Sequence, residues 1–453
     1  MTTLLWLRRD LRRNDLPALL GAHEATADDV AAVFVVDPTL WAGAGDVRRA
    51  WLAASVKAAV ASFEGHLALL HGNPREVIPQ VAERIGATSV HVTRETTPYG
   101  ARRDRDVAEA LQRNGIEWVE ACTPYAIGPG IIRNKSGDGF KVFTPFARTW
   151  REHGTPDPAP QVEPNWREVR NDAAATKAVD DALKDVLTLP DAGEVAALDR
   201  WKEFLHSGID DYAATRDRPS IPGTSFLSPY LKVGAIHPRT LLADLRGRSG
   251  EGVDTFITEL AWREFYDDVL LREPSSAWHD LTTSLRGMEY DPPGDGVRAW
   301  QEGRTGFPFV DAGMRQLAET GWMHNRVRMV TASFLTKHLH VWWPVGARHF
   351  LDHLIDGDLA SNNHGWQWVA GTGTDASPYF RVFNPVTQGI KFDPDGDYVR
   401  RWIPQLRHLD GKAAHEPWKH DDGYAHGYPE RIVDHAEERE EALRRYDRAR
   451  GRG

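Results

Sequence analysis

The chain has 453 residues, a net charge of −10 and 17 tryptophans, more than its phenylalanines or its tyrosines. This length can hold two or three domains with cores, and 41% hydrophobic and 26% charged residues are typical of a globular protein. The composition excludes a membrane span, a signal peptide and, with Cys122 as the single cysteine, an internal disulfide or cysteine-based zinc site. We therefore expect a cytoplasmic protein without a membrane partner. The acidic balance argues only weakly against nucleic-acid binding, because phosphate contacts need just a local basic surface.

The first 130 residues alternate short apolar runs with amphipathic stretches, which predicts a doubly wound α/β domain. Buried parallel strands are predicted at LLWL (4–7), AAVFVV (31–36), LALL (67–70), SVHVT (89–93) and WVEA (118–121). The first strand is followed by RRDLRRNDL instead of a glycine-rich phosphate loop, so this Rossmann-like domain lacks the dinucleotide fingerprint. We interpret its basic cluster as a solvated loop, with part of a ligand site as the alternative. The cluster consists of Arg8, Arg9, Arg12 and Arg13.

Residues 131–190 are rich in proline and then in alanine and aspartate, which predicts an irregular interdomain linker. From 191 to 453 the pattern is helical, which predicts a larger all-α domain. The fold class is thus an α/β Rossmann-like doubly wound parallel sheet domain over 1–130, joined by a linker to a helical domain over 191–453.

Two stretches of the helical half place unusual side chains on single helix faces. The spacing i, i+3, i+4, i+7 joins Glu259, Trp262, Arg263 and Tyr266 on one predicted helix, and Trp322, Asn325, Arg326 and Met329 on another. A half-buried helix with a snorkelling arginine explains one such face. The recurrence of indole, amide, acid and guanidinium groups favours a ligand pocket.

Two further stretches suggest ligand chemistry. The sequence GTSFLSP predicts a loop and a helix start near Ser228, whose amides and hydroxyls suit a phosphate, although a plain N-cap fits equally well. The sequence DGDLASNNHGWQW (356–368) supplies acids for ribose hydroxyls or a ring nitrogen, amides for a second ring nitrogen, and indoles for stacking or electron transfer. The alternative is a polar loop ahead of a buried tryptophan-rich helix.

Seven motifs, in order, resemble the class I cyclobutane pyrimidine dimer photolyases of the photolyase/cryptochrome family. They are LLWLRRDLRRNDLPAL, GTSFLSPYL, ELAWREFY, AWQEGRTGFPFVDAGMRQL, GWMHNRVRM, LIDGDLASNNHGWQW and GTDASPYFRVFNP. The resemblance covers essentially the whole chain. It implies an antenna-chromophore domain at 1–130, a linker at 131–190 and a helical FAD- and DNA-binding catalytic domain at 191–453.

The resemblance also implies roles for individual residues. FAD-binding positions are Tyr212, Thr224, Ser225, Phe226, Leu227, Ser228, Phe256, Arg263, Arg328, Asp356, Asp358 and Asn362. Positions of the lesion pocket or the chemistry are Glu259, Asn325, Met329 and Asn362, the last facing the flavin N5 nitrogen. Lesion- or phosphate-contacting positions are Arg216, Trp262, Arg326, Trp368, Arg381 and Lys391.

The implied function is light-driven repair of pyrimidine dimers in UV-damaged DNA. The damaged bases leave the stack, indoles replace the lost stacking, and excited reduced FAD gives one electron that opens the cyclobutane ring. Asn325 and Met329 stand where relatives acting on (6-4) photoproducts carry a histidine pair, which favours cyclobutane dimers. A second antenna chromophore of the folate or deazaflavin type is a further expectation, with another flavin or an empty site as alternatives.

The family's photoreduction chain uses three tryptophans, and this sequence departs from it. Trp366 and Trp343 match the proximal and middle positions, but the distal position is Tyr290, for which Trp300 could substitute. Three other functions remain open: a cryptochrome-type photoreceptor, repair of (6-4) photoproducts, and a helical DNA-binding module without flavin. Relatives suggest a monomer.

Overall fold

A computed structural model of the protein describes residues 2–26, 29–184, 186–283, 285–375 and 381–451. Residues 376–380, part of the motif GTDASPYFRVFNP, lie outside the described residues. The chain divides into two compact units. The sheet unit comprises Met1–Asp210, Ser225–Pro274 and Ile355–Asp358, and the helical unit comprises Asp211–Thr224, Ser275–Leu354 and Leu359–Gly453.

The sheet unit is built on one parallel sheet, which confirms the predicted α/β fold. Its described strands are β1 Thr2–Leu7, β2 Asp29–Val36, β3 Leu67–His71, β4 Ala87–Val92, β5 Glu117–Glu120 and β6 Asn165–Trp166. The strand order is β3-β2-β1-β4-β5, and β6 pairs with β2. Every residue of β1 is buried, as expected for a central parallel strand covered on both faces.

Helices make up most of the remaining structure. In chain order, the first eight in the described residues are α1 Pro17–Glu24, α2 Pro38–Ala42, α3 Asp46–Ser62, α4 Pro74–Ile85, α5 Pro98–Arg113, α6 Phe143–His153, α7 Ala173–Asp181 and α8 Glu194–Ser207. The chain continues with α9 Tyr212–Thr215, α10 Ser228–Val233, α11 Pro238–Asp244, α12 Glu251–Arg272, α13 Asp295–Gln301 and α14 Pro308–Thr320. It closes with α15 Asn325–Lys337, α16 Trp343–His353, α17 Leu359–Ala370, α18 Pro385–Phe392, α19 Asp397–Trp402 and α20 His435–Ala449.

The core of the helical unit is aromatic. Trp300, Trp343 and Trp366 are 0%, 0% and 3% exposed within one apolar cluster that also contains Phe334 and Phe350. These three tryptophans therefore pack the core of the helical unit. No helix in the described part of the chain is long and apolar enough to cross a membrane.

The order of the strands reverses at β1, which lies between β2 and β4. In open parallel sheets such a reversal makes the loops after the two neighbouring strands diverge, and the crevice between them is the usual ligand position. Here the loop after β1 carries Arg8 and Arg9, and the loop after β4 carries Glu95. Arg9 contacts Glu95 across the crevice at 3.4 Å.

The interpretation of the basic cluster as a solvated loop is wrong. Arg8, Arg12 and Arg13 are 8%, 2% and 8% exposed, and the Arg9 side chain is 15% exposed. Arg8 pairs with Asp104 at 3.0 Å, and Arg13 pairs with Glu64 at 3.0 Å. Arg12 donates to the carbonyl oxygens of residues 14, 15 and 234. Asp104, Glu64 and residue 234 come from distant parts of the chain, so local sequence does not reveal these partners.

The stretch 131–190 contains more regular structure than we predicted. It includes α6, α7 and the short strand β6. In α6, Phe143, Phe146 and Trp150 are buried at i, i+3 and i+7, which is a helical pattern that the surrounding prolines obscured. The boundaries of the predicted domains at 130 and 190 stay a prediction.

Candidate active site

The two acids of the sequence DGD are buried and held by donors of the sheet unit. Asp356 and Asp358 are 8% and 7% exposed. The Ser228 hydroxyl at the start of α10 donates to Asp356 Oδ2 at 2.7 Å. Arg9 Nη2 lies 2.8 Å from Asp358 Oδ2, and Lys232 Nζ lies 3.6 Å from the same oxygen. Charge-assisted contacts of this kind fix the carboxylates as acceptors for hydroxyl groups.

The charges around Asp358 shift their neighbours' pKa values. Burial and the nearby Arg9 lower the pKa of Lys232 to about 8, while Asp358 opposes that change. Burial disfavours the Glu95 carboxylate, but Arg9 and other arginines outweigh it, so the pKa of Glu95 is lowered. Burial raises the pKa of Asp267 to about 7, although the Thr96 hydroxyl donates to it. The region is therefore a compact network of buried charges.

The predicted phosphate-binding stretch forms a strained turn. Phe226 has φ of 55°, a left-handed conformation that is uncommon for a bulky residue. The Leu227 N–H donates to Ser225 Oγ at 3.4 Å, and Arg200 Nε donates to the Ser225 carbonyl at 3.1 Å. Sequence analysis missed Arg200, which brings a cation to this turn from α8. Thr224 belongs to the helical unit, as does Tyr212, which is 8% exposed at the start of α9.

Helix α12 carries Glu259, Trp262 and Arg263, which confirms that this stretch is helical. The Trp262 indole stacks on Phe143 of α6, with ring centroids 3.6 Å apart and planes 10° apart. One face of this indole is thereby covered and the ring is held in place. Glu259 and Trp262 are both half-buried.

Arg263 and Phe256 are engaged within the sheet unit. Arg263 donates to the carbonyl oxygens of Pro124 and Leu231 at 2.8 and 3.1 Å, so it braces the end of α10. Phe256 is 4% exposed and stacks on Trp201 with ring centroids 5.3 Å apart.

Sequence analysis also missed buried acids that support α12. Glu264 is 1% exposed and accepts hydrogen bonds from the backbone of Gly128 and the Trp150 indole at 2.6 and 2.9 Å. Asp268 accepts the Gly130 N–H at 2.8 Å. Acids at i and i+4 in the motif ELAWREFYDD are the signal that could have found them, because adjacent turns of one face carry both.

Trp322 does not share a helix face with Asn325, Arg326 and Met329, so that part of the prediction is wrong. Helix α15 begins at Asn325, because His324 Nδ1 caps it by accepting the Arg326 N–H at 3.2 Å. Asn325 is exposed, whereas Arg326 and Met329 are half-buried and in contact through Nη1 and Sδ at 3.5 Å.

The predicted phosphate contacts differ in how firmly they are held. Arg326 pairs with Asp217 at 2.7 Å and lies over the Phe392 ring at 4.5 Å. Lys391 is exposed, with its ammonium 5.0 Å from the same ring, so Phe392 brings these two cations together. Arg381 is exposed, and Arg216 lies 5.5 Å over the Tyr212 ring. The Trp368 indole donates to the Asp375 carbonyl at 3.1 Å.

Asn362 on α17 has an amide whose orientation is set by its neighbours. Its Nδ2 donates to the Ala347 carbonyl at 3.1 Å and to Asn363 Oδ1 at 2.8 Å. Both donors are thus engaged, and the oxygen Oδ1 accepts no hydrogen bond from the residues that the structure describes. An acceptor fixed in this way suits an N–H group of a ligand. Arg328 of α15 donates to the Met323 carbonyl at 2.7 Å.

The proposed electron-transfer residues all lie in the helical unit. Trp343 begins α16, and a Cβ added to Gly346 would lie 2.2 Å from the Trp366 ring. The Trp366 indole thus lies directly on α16, one turn from Trp343. Tyr290 is half-buried, and burial together with Asp280 raises the pKa of its hydroxyl.

The donor chemistry of these residues fits a flavin dinucleotide. Asp356 and Asp358 are preformed acceptors for ribityl or ribose hydroxyls, Arg200 brings positive charge to the strained turn, and Asn362 presents an oriented acceptor. The structure holds these groups in the two units, and their individual roles stay a prediction.

Comparisons with known proteins give the family. Residues 3–165 match the family model described as DNA photolyase, and residues 256–448 match that of the FAD binding domain of DNA photolyase. A deoxyribodipyrimidine photo-lyase of Vibrio cholerae is 37% identical over 99% of this chain and 100% of its own length. The chain belongs to the DNA photolyase family. A Streptomyces griseus member of the same name is 40% identical over 98% of this chain and 97% of its own length.

Solved structures agree with this assignment to the photolyase family. A class III photolyase of Agrobacterium tumefaciens has a TM-score of 0.91 at 34% identity, covering 99% of this chain and 98% of the other. A Synechocystis cryptochrome has a TM-score of 0.87 at 27% identity, covering 98% of each chain. An archaeal photolyase of Sulfolobus tokodaii, solved with two FAD molecules, has a TM-score of 0.87 at 28% identity, covering 99% of this chain and 100% of the other.

Proposed function

We propose that this protein is a deoxyribodipyrimidine photolyase, which uses light to repair cyclobutane pyrimidine dimers in DNA. The observation that carries the proposal is the full-length similarity to photo-lyases, at 37% identity over 99% of the chain for the Vibrio cholerae protein. The cofactor of the proposed enzyme is FAD, for which a binding-domain family model matches residues 256–448.

When bound in its reduced form, FAD supplies after light absorption the single electron that opens the cyclobutane ring, and it takes this electron back afterwards. The chain supplies binding, orientation and exclusion of water. Asp356 and Asp358, held by Ser228 and Arg9, accept hydrogen bonds from hydroxyl groups of the cofactor. The fixed Oδ1 of Asn362 accepts an N–H of the reduced isoalloxazine.

The residues proposed to contact the flipped lesion are Glu259, Trp262, Asn325, Met329 and Trp368. A dimer distorts the duplex and unstacks easily, so flipping it out costs less free energy than flipping normal bases. The Trp262 indole, held by its stack on Phe143, replaces lost stacking that is worth about 1–3 kcal/mol per base. Glu259 and Asn325 hydrogen-bond the pyrimidine edges, and the Met329 thioether packs against them.

Four cations are proposed to contact phosphates around the flipped lesion: Arg216, Arg326, Arg381 and Lys391. They carry affinity but no sequence information, as suits a lesion that occurs in any sequence. They also allow a chain of net charge −10 to bind DNA, because local positive charge decides phosphate binding.

Three finer statements belong to the same proposal. The enzyme acts as a monomer. It works in the cytoplasm, where the chromosomal DNA of its bacterial relatives lies. A light-harvesting chromophore accompanies FAD. The expected chromophore follows the archaeal photolyase of Sulfolobus tokodaii, whose structure with two FAD molecules implies a light-harvesting cofactor.

The test is repair of two oligonucleotides, one with a single thymine dimer and one with a single (6-4) photoproduct. Flavin-loaded, chemically reduced protein is mixed with each oligonucleotide and kept in blue light or in darkness. The amounts of intact thymine and of remaining lesion are then measured by chromatography. We expect intact thymines from the dimer in light alone. Repair of the (6-4) product instead would contradict the proposed lesion.

A cryptochrome-type photoreceptor is the second candidate, favoured by the similarity to the Synechocystis cryptochrome. It predicts bound, reducible flavin without repair of either lesion. The same experiment therefore separates the two functions, because the flavin content of the protein is measured before illumination.

A further inference from the structure

Two adjacent indoles of the helical unit share one carboxylate. Trp343 Nε1 donates to Asp280 Oδ1 at 2.7 Å, and Trp342 Nε1 donates to the same oxygen at 3.3 Å. The two rings are 6.4 Å apart between centroids, at 66° between planes. Trp343 is fully buried, whereas Trp342 and Asp280 are half-buried. The pair Trp343 and Trp342 therefore extends from the core to the partly exposed surface, and both indoles contact the carboxylate of Asp280.

Trp300, a tryptophan beside Trp366, has none of these properties. Trp300 lies 6.1 Å from Trp366 between ring centroids, but it is 0% exposed. Its Nε1 donates to the Thr331 carbonyl at 3.0 Å, a neutral acceptor that cannot take up a proton. A positive charge placed on this ring would remain buried without a neutralising partner, which is costly in a medium of low polarity.

Tyr290 is also poorly suited to hold the oxidised state. A phenol loses its proton on oxidation, so it needs an acceptor for that proton. No residue that the structure describes accepts a hydrogen bond from the Tyr290 hydroxyl. Burial and the Asp280 charge raise the pKa of this hydroxyl, so the proton is held tightly.

We propose that Trp342 is the terminal electron donor of the chain Trp366–Trp343–Trp342, and that Asp280 accepts the Trp342 indole proton. This inference rests on the proposed flavin function. It replaces Tyr290 and Trp300, the two candidates that the sequence offers for this position.

The electrons and protons balance as follows. Trp366 would give one electron to bound, light-excited oxidised flavin. Trp343 would then reduce Trp366, and Trp342 would reduce Trp343. The oxidised Trp342 indole is a much stronger acid than the neutral indole, so its Nε1–H bond breaks and the proton moves to Asp280. A neutral indolyl radical remains, and the half-buried Asp280 releases the proton to solvent. An external thiol restores the indole by giving one electron and one proton, and becomes a thiyl radical.

The experiment uses the flavin-loaded protein in its oxidised form and a laser flash. Transient absorption identifies the long-lived radical, since protonated indolyl, neutral indolyl and tyrosyl radicals have different visible spectra. The variants are Trp342→Phe, Tyr290→Phe and Asp280→Asn. Trp402→Phe is the matched control, because Trp402 is a half-buried indole packed against the same core away from Asp280.

In the wild type we expect a neutral indolyl radical. Trp342→Phe should lower the yield of the long-lived indolyl radical at least tenfold. Without Trp342, the oxidised state stays on Trp343 or Trp366, where the electron returns quickly from the flavin. Asp280→Asn should leave a protonated radical that decays faster, which also covers the case in which Trp342→Phe folds poorly. Tyr290→Phe and Trp402→Phe should stay within twofold of the wild type.

A tyrosyl signal in the wild type, or a long-lived radical that survives Trp342→Phe and disappears in Tyr290→Phe, would overturn the proposal. Chemically reduced samples of every variant are assayed for dimer repair in parallel. If they lack repair while the radical behaves as expected, the proposed function fails and the donor assignment stands.

Discussion

The ion pair at the proposed cofactor site of the sheet unit is more buried than the ion pair at the proposed DNA-binding surface of the helical unit. Arg9 and Asp358 form an ion pair with side chains 15% and 9% exposed, and Lys232 and Glu95 lie beside it. Arg326 and Asp217 form a pair of similar length with side chains 22% and 37% exposed. Asp358 is proposed to hold a resident cofactor, and Arg326 is proposed to meet DNA only transiently.

This difference has an energetic consequence. Removing one partner of a buried pair leaves an uncompensated charge in a poorly polar environment, which costs roughly 3–5 kcal/mol. Exposed pairs are screened and contribute about 0–1 kcal/mol. Buried ion pairs suit a site that holds a cofactor permanently, because they fix the geometry of the site before binding. Exposed ion pairs suit a surface that binds DNA transiently, because a cation there can exchange its carboxylate partner for a phosphate.

The largest effect is expected for Arg9→Ala. It leaves Asp358 and Glu95 without their shared cation, while Lys232 Nζ stays 3.6 Å from Asp358. We expect the free energy of unfolding to fall by about 3 kcal/mol, near the lower end for a broken buried pair. FAD should also dissociate more readily. Urea unfolding and retention of flavin on gel filtration measure the two effects.

The control for Arg9→Ala is Arg298→Ala, which removes an exposed pair with Asp295 whose side chains are 69% and 97% exposed. Its effect should be below about 0.5 kcal/mol. Equal losses in the two variants would remove the distinction between the buried and the exposed charges.

A smaller effect concerns Asp267, whose pKa is raised from 3.8 to about 7 by burial. Between about pH 4 and pH 7 the native carboxyl keeps a proton that the unfolded chain has released. The contribution of this group to stability therefore falls as pH rises through that window, and it is constant above it. Asp267→Asn removes this dependence. We expect the wild type to lose stability relative to the variant from pH 4 to 7, in urea titrations at several pH values.

Parallel stability curves of wild type and Asp267→Asn would mean that Asp267 titrates as an ordinary exposed acid. Asp295→Asn serves for comparison, since its carboxylate is 97% exposed.

In the helical unit, Asp217→Asn should strengthen DNA binding. The change frees Arg326 from its carboxylate and removes a negative charge near the incoming phosphate. Since exposed pairs are worth at most about 1 kcal/mol, we expect the Kd for dimer-containing DNA to fall by about two- to fivefold. Fluorescence anisotropy measures it, and weaker binding would show that Asp217 positions Arg326 for DNA instead of competing for it.

The smallest effect is expected for Lys391→Ala, because this cation is exposed and, among the residues that the structure describes, its charge contacts the Phe392 ring alone. Loss of one phosphate contact should reduce the slope of log K against log salt by about 0.9. FAD content and the rate of repair in the bound state should not change. An unaltered slope would exclude Lys391 from the phosphate contacts.

Sequence patterns predict the secondary structure of this molecule where it is set by residues close in the chain. The positions of five strands and the helical stretch around Glu259 follow from periodicity within a few residues. The prediction that all five strands are buried is wrong for β5, which lies at the edge of the sheet and has no buried residue. The partners of Arg8, Arg9 and Arg13 do not, because Asp104, Asp358 and Glu163 are far away in sequence. The error at Trp322 has a local cause: His324 acts as the N-cap, a role that a helical spacing alone does not reveal.

The most direct test of the account is a single-turnover experiment on fully reduced, flavin-loaded protein saturated with an oligonucleotide that carries one thymine dimer. One light flash is given, and the return of thymine absorbance in the ultraviolet is followed, with a dark sample in parallel. The account predicts thymine recovery after the flash and none in darkness. Tight dimer binding without any recovery, from protein shown to hold one reduced flavin per chain, would contradict it.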